Sequence, residues 1–188
     1  MPSTWAYTCP EDLRFPVRYQ EDEATLALPD RELRLPHTAA DRGLRFQSGD
    51  TLFHDQGGEA LLEVGRERHA GCRGERAASS EDAARLLGFD FRGLGQEPGW
   101  LVDVDVDRQV RWVGDYGVVR FATSVPEVVE ETDGTVVWRA AAEGHELSIE
   151  VRDEPCRDAM SGQHFTHTVI VTLDGEKLDG CGEWLEGS

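Results

Sequence analysis

Lysine is almost absent from this sequence, because only Lys177 among the 19 basic residues is a lysine. The 37 acidic residues give the 188-residue chain a formal net charge of −18, which argues against a nucleic-acid-binding protein. No hydrophobic run approaches the roughly 18 residues of a membrane-spanning helix. No Cys-x-x-Cys pair or Cys/His group indicates a zinc or thioredoxin-type site. With 39% hydrophobic residues, the chain is nevertheless able to form ordered cores.

The four cysteines are divided evenly, with Cys9 and Cys72 in the first half and Cys156 and Cys181 in the second. The simplest interpretation is two local disulfides, Cys9–Cys72 and Cys156–Cys181, although the other two pairings and four free thiols remain open. Disulfides indicate an oxidising compartment. The chain begins with neither a basic segment nor a hydrophobic one. We therefore expect a removed signal sequence, a periplasmic or envelope-anchored protein, and membrane contact only through a lipid anchor.

Short alternating hydrophobic runs, separated by acidic or proline-containing turns, fill the first half of the chain. This spacing is typical of an antiparallel all-β domain. The runs predict a small β-barrel or sandwich over residues 1–72. They are Leu13–Tyr19, Ala24–Leu28, Arg31–Leu35, Gly43–Phe46, Thr51–His54 and Ala60–Val64.

Between the halves, Ser79–Gly88 combines a hydroxyl cap, an acidic first turn and a closing glycine, which predicts a short helix. We place a linker with this helix at residues 73–90 and a second antiparallel β domain at 91–188. There, Trp100–Asp107 alternates hydrophobic and acidic residues, which predicts a hairpin with one solvent-exposed face. The expected fold class is therefore all-β, with two small antiparallel barrel or sandwich domains joined by a short helical linker. Further predicted strands are Val110–Val113, Val118–Phe121, Thr135–Ala140, Glu146–Val151 and Thr166–Leu173.

Asp103, Asp105 and Asp107 have the alternate spacing of carboxylates that opens a calcium-binding loop. An EF-hand needs glycine where Arg108 stands and glutamate where Gly114 stands. The alternating valines indicate a strand instead of a loop. We therefore predict no metal site and no cofactor.

His164 and His167 lie close to Cys156 in the sequence, a combination that suggests a cysteine nucleophile. A strand would place these histidines on opposite faces, and Cys156 is expected to be in a disulfide. Ser161 lacks the Gly-x-Ser-x-Gly motif of a serine hydrolase. We expect no enzymatic activity.

A different pattern is formed by Tyr7-Thr8-Cys9, Arg42–Phe46, Leu52–Ala60 and Cys72. It resembles the MliC/PliC family of bacterial periplasmic inhibitors of c-type lysozyme. The signature of that family runs Ser-Gly-Ala-Arg-Tyr, seven variable residues, then Trp-x-Lys-Gly-x-x-Ala. The spacing agrees at every position of residues 42–60, and the resemblance covers about residues 5–72.

The resemblance implies a small antiparallel barrel, one end-to-end disulfide, and a loop that enters the lysozyme cleft. Serine and lysine side chains of the family engage the catalytic carboxylates there. Here Arg42 and Gln56 stand at those two positions, so Arg42 offers a cation where Gln56 cannot. His54 and Phe46 replace the tryptophan and the tyrosine. The expected contact residues are Arg42, Gly43, Arg45, Phe46, His54, Gln56 and Gly57.

The second half resembles uncharacterised bacterial envelope lipoproteins over about residues 90–185. The resemblance rests on a Cys-x-Asp-x-Met-Ser…Gly-Cys motif, and it supports the Cys156–Cys181 pairing without implying an activity. Within the motif, Asp158, Met160, Ser161 and Gly162 form either a ligand pocket or a turn. In the turn, Asp158 accepts backbone bonds and Met160 enters the core. We also expect core or rim positions for Trp100, Trp112 and Trp138.

Together these observations predict a cell-envelope binding protein that inhibits c-type lysozyme by placing a loop in its cleft. The expected partner is c-type lysozyme, and no nucleic acid is expected. The alternative is a diverged, non-inhibitory envelope lipoprotein with a structural or small-ligand-binding role.

Overall fold

The chain divides into two compact units, Met1–Leu87 and Gly88–Ser188. A computed structural model describes residues 2–142 and 144–186. Both units consist mainly of antiparallel strands, which confirms the all-β prediction. In the described residues, no helix has the length and hydrophobicity needed to cross a membrane.

In residues 2–87, eight strands form a closed antiparallel barrel. Each strand pairs with the next along the chain, and the last strand pairs with the first, with Thr4 opposite Ala77. Closure in this way leaves no sheet edge. The strands are β1 (Ser3–Thr8), β2 (Arg14–Tyr19), β3 (Glu23–Ala27), β4 (Glu32–Thr38), β5 (Leu44–Ser48), β6 (Thr51–Asp55), β7 (Glu59–Val64) and β8 (Glu67–Ala77).

Aromatic rings fill the interior of the barrel. Tyr7 and Phe53 meet edge to face with their centroids 5.2 Å apart, and Tyr19 packs against Phe46 at 5.6 Å. Phe15 completes this group and is fully buried. The predicted Cys9–Cys72 disulfide is present and closes a 63-residue separation, which stabilises the barrel by about 4 kcal/mol.

The closing strand continues beyond Cys72 to Ala77, through residues that we assigned to the linker. The predicted short helix is α1 (Ser80–Leu86), and Ser79 caps it by accepting a hydrogen bond from the Asp82 amide. This helix packs against β1 and β8. The structure therefore groups it with the first unit, while the division into independently folding domains stays a prediction.

In the described part of residues 88–188, nine strands form one antiparallel sheet, and two short strands form a separate hairpin. The strand order in the sheet is β12-β11-β10-β9-β19-β18-β15-β14-β13, and the hairpin is β16-β17. The bounds are β9 (Phe91–Gln96), β10 (Gly99–Asp105), β11 (Gln109–Gly114), β12 (Val119–Ala122), β13 (Glu127–Thr132), β14 (Thr135–Ala142), β15 (His145–Arg152), β16 (Cys156–Arg157), β17 (His164–Phe165), β18 (His167–Leu173) and β19 (Glu176–Trp184).

This sheet curls around a single hydrophobic core. The core joins Phe121, near one end of the sheet, to Trp138, near the other. Trp100 and Trp112 stack with their centroids 5.5 Å apart. All three predicted tryptophans are therefore buried core residues. The second predicted disulfide, Cys156–Cys181, is also present and joins β16 to β19.

The predicted hairpin of β10 and β11 is confirmed, but the prediction that one of its faces is exposed is wrong. Asp103 has no exposed surface. It lies directly opposite Arg92 on β9 and Arg111 on β11, and both guanidinium groups donate to its carboxylate. The Arg111 guanidinium lies 4.6 Å from the centre of the Phe89 ring, which helps to cover this face. Neutralisation by two arginines is what permits an aspartate to be buried here.

Candidate functional site

The candidate site of the first unit lies at one end of the hairpin formed by β5 and β6. Arg42 and Gly43 immediately precede β5, while Gln56 and Gly57 follow β6. The two strands are antiparallel, with Leu44 opposite Asp55. The residues just before β5 and those just after β6, which are predicted to contact a partner, therefore lie side by side.

His54 connects these two segments. Its Nε2 atom lies 2.8 Å from the carbonyl oxygen of Arg42, and because a carbonyl only accepts, this nitrogen carries the proton. Its Nδ1 atom lies 3.4 Å from the Gln56 amide nitrogen and accepts from it. The side chains of Arg42 and Gln56 are both exposed. The structure thus brings together three of the predicted residues and leaves two of them accessible.

Asp55 holds the turn after β6 in place, and sequence reasoning did not identify it. Its side chain is 6% exposed. Oδ1 accepts hydrogen bonds from the backbone amides of Gly57 at 2.9 Å and Gly58 at 2.8 Å. The Asp-x-Gly-Gly sequence is a signal that could have revealed it, since aspartate side chains commonly bond to backbone amides two residues later.

The other oxygen of the same carboxylate reaches into the barrel core. Oδ2 of Asp55 accepts from the Tyr7 hydroxyl at 2.9 Å. The Tyr19 hydroxyl lies 2.7 Å from that of Tyr7 and 3.2 Å from Oδ2. The two shortest links form a chain in which Tyr19 donates to Tyr7 and Tyr7 donates to Asp55. The buried carboxylate of Asp55 therefore connects the turn after β6 to the aromatic core of the barrel.

The remaining predicted residues have structural roles of different kinds. Gly43 has a φ of +69°, and a Cβ atom there would overlap the carbonyl oxygen of Asp55, so only glycine fits. Arg45 is half-buried and donates to the side chain of Gln47 at 2.7 Å. Phe46 is buried among the core rings, where its side chain is inaccessible to a partner.

A shallow cavity of about 290 Å³ lies beside His54 and Gln56. Arg68 and Glu59 also line it. Arg68 lies on β8, and its Nε atom is 3.2 Å from a carboxylate oxygen of Glu63. Arg68 lies opposite Glu63, toward the other end of β7, and its side chain lines the cavity from there. No motif in the sequence indicates Arg68, because its proximity depends on the pairing between β7 and β8.

The tyrosine network leads to a prediction for high pH. Burial, and then the Asp55 carboxylate, raise the pKa of Tyr7, while burial and the Tyr7 hydroxyl raise that of Tyr19. Unfolded tyrosines ionise near pH ~10. Below that pH the network stabilises the barrel, and the stabilisation is lost as pH rises, because only the unfolded chain releases protons readily.

The measurement is absorbance at 295 nm and far-ultraviolet circular dichroism across an alkaline titration. Tyr116→Phe removes the third tyrosine, so that the signal belongs to Tyr7 and Tyr19 alone. We expect their ionisation to coincide with loss of the β signal. Reversible ionisation near pH ~10 in a folded barrel would contradict the assignment.

In the second unit, the residues of the Cys-x-Asp-x-Met-Ser motif form a turn. Asp158 accepts from the Ser161 amide at 2.7 Å and from its hydroxyl, and these bonds hold the pKa of Asp158 below its usual range. Gly162 has a φ of +71°, as expected for this turn. Met160 is 70% exposed, so its predicted place in the core is wrong. It lies at the turn itself, where no strand carries its side chain inward.

His164 and His167, which we expected on opposite faces of one strand, lie in two different strands. His164 lies in β17 and His167 begins β18, where its ring contacts those of Phe91 and Trp184. Cys156 is oxidised in its disulfide. Over residues 2–142 and 144–186, no group of three His, Cys, Asp or Glu side chains is arranged to bind a metal ion.

The comparison with protein families concerns the barrel. Residues 7–70 match the family model described as MliC, membrane-bound lysozyme-inhibitor of c-type lysozyme. No curated protein and no solved structure shows significant similarity to the chain.

The match to MliC covers about a third of the chain and contains both segments of the candidate site. It begins at Tyr7, the residue whose hydroxyl bonds to Asp55. The MliC resemblance inferred from the sequence of the first half is therefore supported. The resemblance of the second half to envelope lipoproteins stays a prediction.

Proposed function

We propose that the first unit inhibits a c-type lysozyme by placing the 42–46 and 54–58 segments in the enzyme's active-site cleft. The observation that carries this proposal is the MliC match, because it spans both segments. The protein acts by occupying the cleft and catalyses no reaction. Glycosidases of this type rely on two carboxyl groups, so the cleft is a suitable target for a cationic side chain.

The charges of the site support an ionic contact with the cleft carboxylates that is made by Arg42 in place of the family's lysine. Arg42 is exposed and has a planar guanidinium that can bond a carboxylate through two N–H groups. Gln56 is neutral and contributes hydrogen bonds only. Arg68 also lines the cavity beside His54 and Gln56, but its guanidinium is paired with Glu63, which leaves Arg42 as the cation of the proposed contact. Arg42 thus takes over the ionic contact that the family's lysine provides.

The location proposed for the protein is the cell envelope. The MliC description of a membrane-bound inhibitor is consistent with this location. Both disulfides fit an oxidising compartment. A lipid anchor would keep the inhibitor where an attacking lysozyme arrives.

The test is a titration of lysozyme activity on cell walls with the full chain and with Arg42→Ala/Gln56→Ala. We expect the parent to inhibit and the double variant to be weaker by at least about tenfold, as for loss of an arginine at the centre of an interface. The matched control is Arg34→Ala/Gln20→Ala, which removes the same two residue types from exposed barrel positions.

The outcomes separate the candidate functions. Equal inhibition by the parent and by Arg42→Ala/Gln56→Ala would place the contact elsewhere on the protein. Absence of inhibition by the parent would favour the non-inhibitory envelope role. A third variant, Arg42→Ser/Gln56→Lys, restores the family's residues and should strengthen inhibition if the loops enter the cleft as proposed.

A further inference from the structure

One edge of the second unit's sheet is exposed in an unusual way. The strand β13 (Glu127–Thr132) is the last in the sheet order, and its only strand partner in the described part of the chain is β14. All six of its residues are exposed, and none belongs to the hydrophobic core of the unit. Its outer edge therefore presents backbone donors and acceptors to any strand that approaches.

Hydrophobic side chains occur along this edge without a packing role. Val128 is 51% exposed, Val129 is 38% exposed, and Val125, just before the strand, is 54% exposed. A single exposed valine needs no explanation, but three within five residues give this edge apolar side chains that a partner can cover. Covering these side chains would stabilise the complex with whatever pairs with the strand.

The charge of the edge indicates which kind of partner fits. Glu127, Glu130 and Glu131 are half of the strand, and Asp133 follows in the turn. Over residues 2–142 and 144–186, none of these three glutamates has an ion-pair partner. A cationic partner would neutralise them, whereas an acidic or neutral one would not.

The same glutamates argue against a second copy of this chain. Antiparallel pairing of β13 with itself would bring six carboxylates together on one short ladder, and like charges placed opposite each other are destabilising. The register shift between Val128 and Glu130 also interrupts a long, flat pairing. The edge therefore resists self-association.

A concave surface lies beside the start of β13 and adjoins the exposed edge. It has a volume of about 630 Å³ and is lined by Val125, Glu127 and Glu146, together with Arg139 and uncharged residues of the neighbouring strands. This gives an incoming side chain a place to lie next to the edge. Its carboxylates outnumber its single guanidinium.

We propose that β13 is a docking edge for an extended, lysine- or arginine-rich segment of a partner protein. The segment adds a tenth strand to the sheet through main-chain hydrogen bonds. Its basic side chains neutralise Glu127, Glu130 and Glu131, and its apolar side chains cover Val128 and Val129. This interaction is separate from lysozyme inhibition by the first unit.

The probe is a fluorescein-labelled eight-residue peptide of alternating valine and lysine, titrated with the full chain and followed by fluorescence anisotropy. We expect saturable binding that weakens at least fivefold in Glu127→Gln/Glu130→Gln/Glu131→Gln. The matched control is Glu97→Gln/Glu154→Gln/Glu176→Gln, which makes the same charge change at exposed positions of the same unit. This control should retain the parental affinity.

A second peptide, N-methylated at alternate residues, keeps the charge but loses donors on one edge. We expect its affinity to fall at least tenfold. Equal binding of the two peptides, or an equal loss in both glutamine variants, would mean non-specific charge attraction and would overturn the proposal. Dimerisation of the parent in sedimentation equilibrium, abolished by Val128→Lys, would identify a second copy as the occupant and would also overturn it. Each readout is independent of lysozyme inhibition.

Discussion

Replacing Asp103 with alanine is expected to destabilise the second unit by about 3–5 kcal/mol. The substitution removes an acid shared by two buried arginines. Arg92 donates to it through Nε at 2.6 Å and Nη2 at 3.0 Å. Arg111 donates through Nε at 3.1 Å and through Nη2. Without Asp103, the buried guanidinium groups of Arg92 and Arg111 lose the carboxylate that they share. The loss of a buried counter-ion costs far more stability than the loss of a surface ion pair.

The same group makes the second unit sensitive to acid. Burial alone would raise the pKa of Asp103, but the charges and hydrogen bonds of Arg92 and Arg111 outweigh it and hold that pKa below its usual range. A lowered pKa in the folded state means that the stabilisation is present above the unfolded value, near pH ~4, and is lost as pH falls below it. The alanine variant should therefore lose part of the parent's acid dependence.

The measurement is urea unfolding followed by tryptophan fluorescence, since Trp100, Trp112 and Trp138 all lie in this core. Asp107→Ala is the matched control. It removes an exposed aspartate from the same hairpin and should change the free energy of unfolding by less than about 0.5 kcal/mol.

A second variant tests whether the loss of stability in Asp103→Ala comes from the unpaired charges or from the lost side-chain volume. The combination Asp103→Leu/Arg92→Met/Arg111→Met replaces all three charges and should recover much of the stability lost in Asp103→Ala. A loss of less than about 1 kcal/mol in Asp103→Ala would show that the buried arginines are satisfied by other groups or by water.

The first barrel could be predicted well because local signals agree there with the final structure. The run Thr51–His54 alternates, the turn residues Ser48-Gly49-Asp50 precede it, and β6 forms at that place. The even division of the cysteines also favoured the disulfide pairing that is present. Sequence periodicity is reliable where each strand has one buried and one exposed face.

The strands that were not predicted in the second unit lack that alternation. Residues 91–96 and 176–184, which form β9 and β19, contain glycines where a strand former is expected. The reason is close packing, since a Cβ atom on Gly95 or Gly180 would overlap the Trp100 ring. A glycine that is required for close packing within a strand is easily interpreted, from the sequence alone, as part of a turn. β13 was missed for the opposite reason, because neither of its faces is buried.

Buried carboxylates account for the remaining differences. Asp103 and Asp55 look like surface residues in the sequence, because an isolated acid is very rarely buried. What makes them core residues is a set of partners that are distant along the chain, the arginines 11 and 8 residues away for Asp103 and the tyrosines 48 and 36 residues away for Asp55. Such partners become visible only when strand order and register are known.

Replacing Asp55 with alanine is expected to cost about 3 kcal/mol in barrel stability and to weaken lysozyme inhibition beyond what unfolding explains. The change removes the acceptor of the buried Tyr7 hydroxyl, and an unsatisfied buried donor costs about 1–3 kcal/mol. The part-buried amides of Gly57 and Gly58 also lose their bonds to Asp55, each worth about 0.5–1.5 kcal/mol. The turn after β6 would then lose its attachment to the core, and the position of Gln56 would vary. The inhibition result depends on the proposed function, whereas the stability result does not.

Two further variants assign the effect to the position of the loop. Tyr19→Phe removes one hydroxyl from the core side of the network and leaves both loop bonds of Asp55 in place, so it should lower stability without changing inhibition. Asp55→Asn keeps an oxygen that can accept from Gly57 and Gly58, and its amide can donate to a tyrosine oxygen. It should retain most of the inhibition.

The readouts are the urea midpoint and the inhibition constant, the latter measured where every variant is fully folded. Equal inhibition by Asp55→Ala and the parent would show that the position of this turn does not matter to the contact. A loss in Tyr19→Phe as large as that in Asp55→Ala would point to the stability of the barrel as a whole. We expect Asp55→Ala to be the one variant of the three with clearly weakened inhibition. The reason is that Asp55 uses one carboxylate oxygen to bond the core and the other to bond the turn after β6.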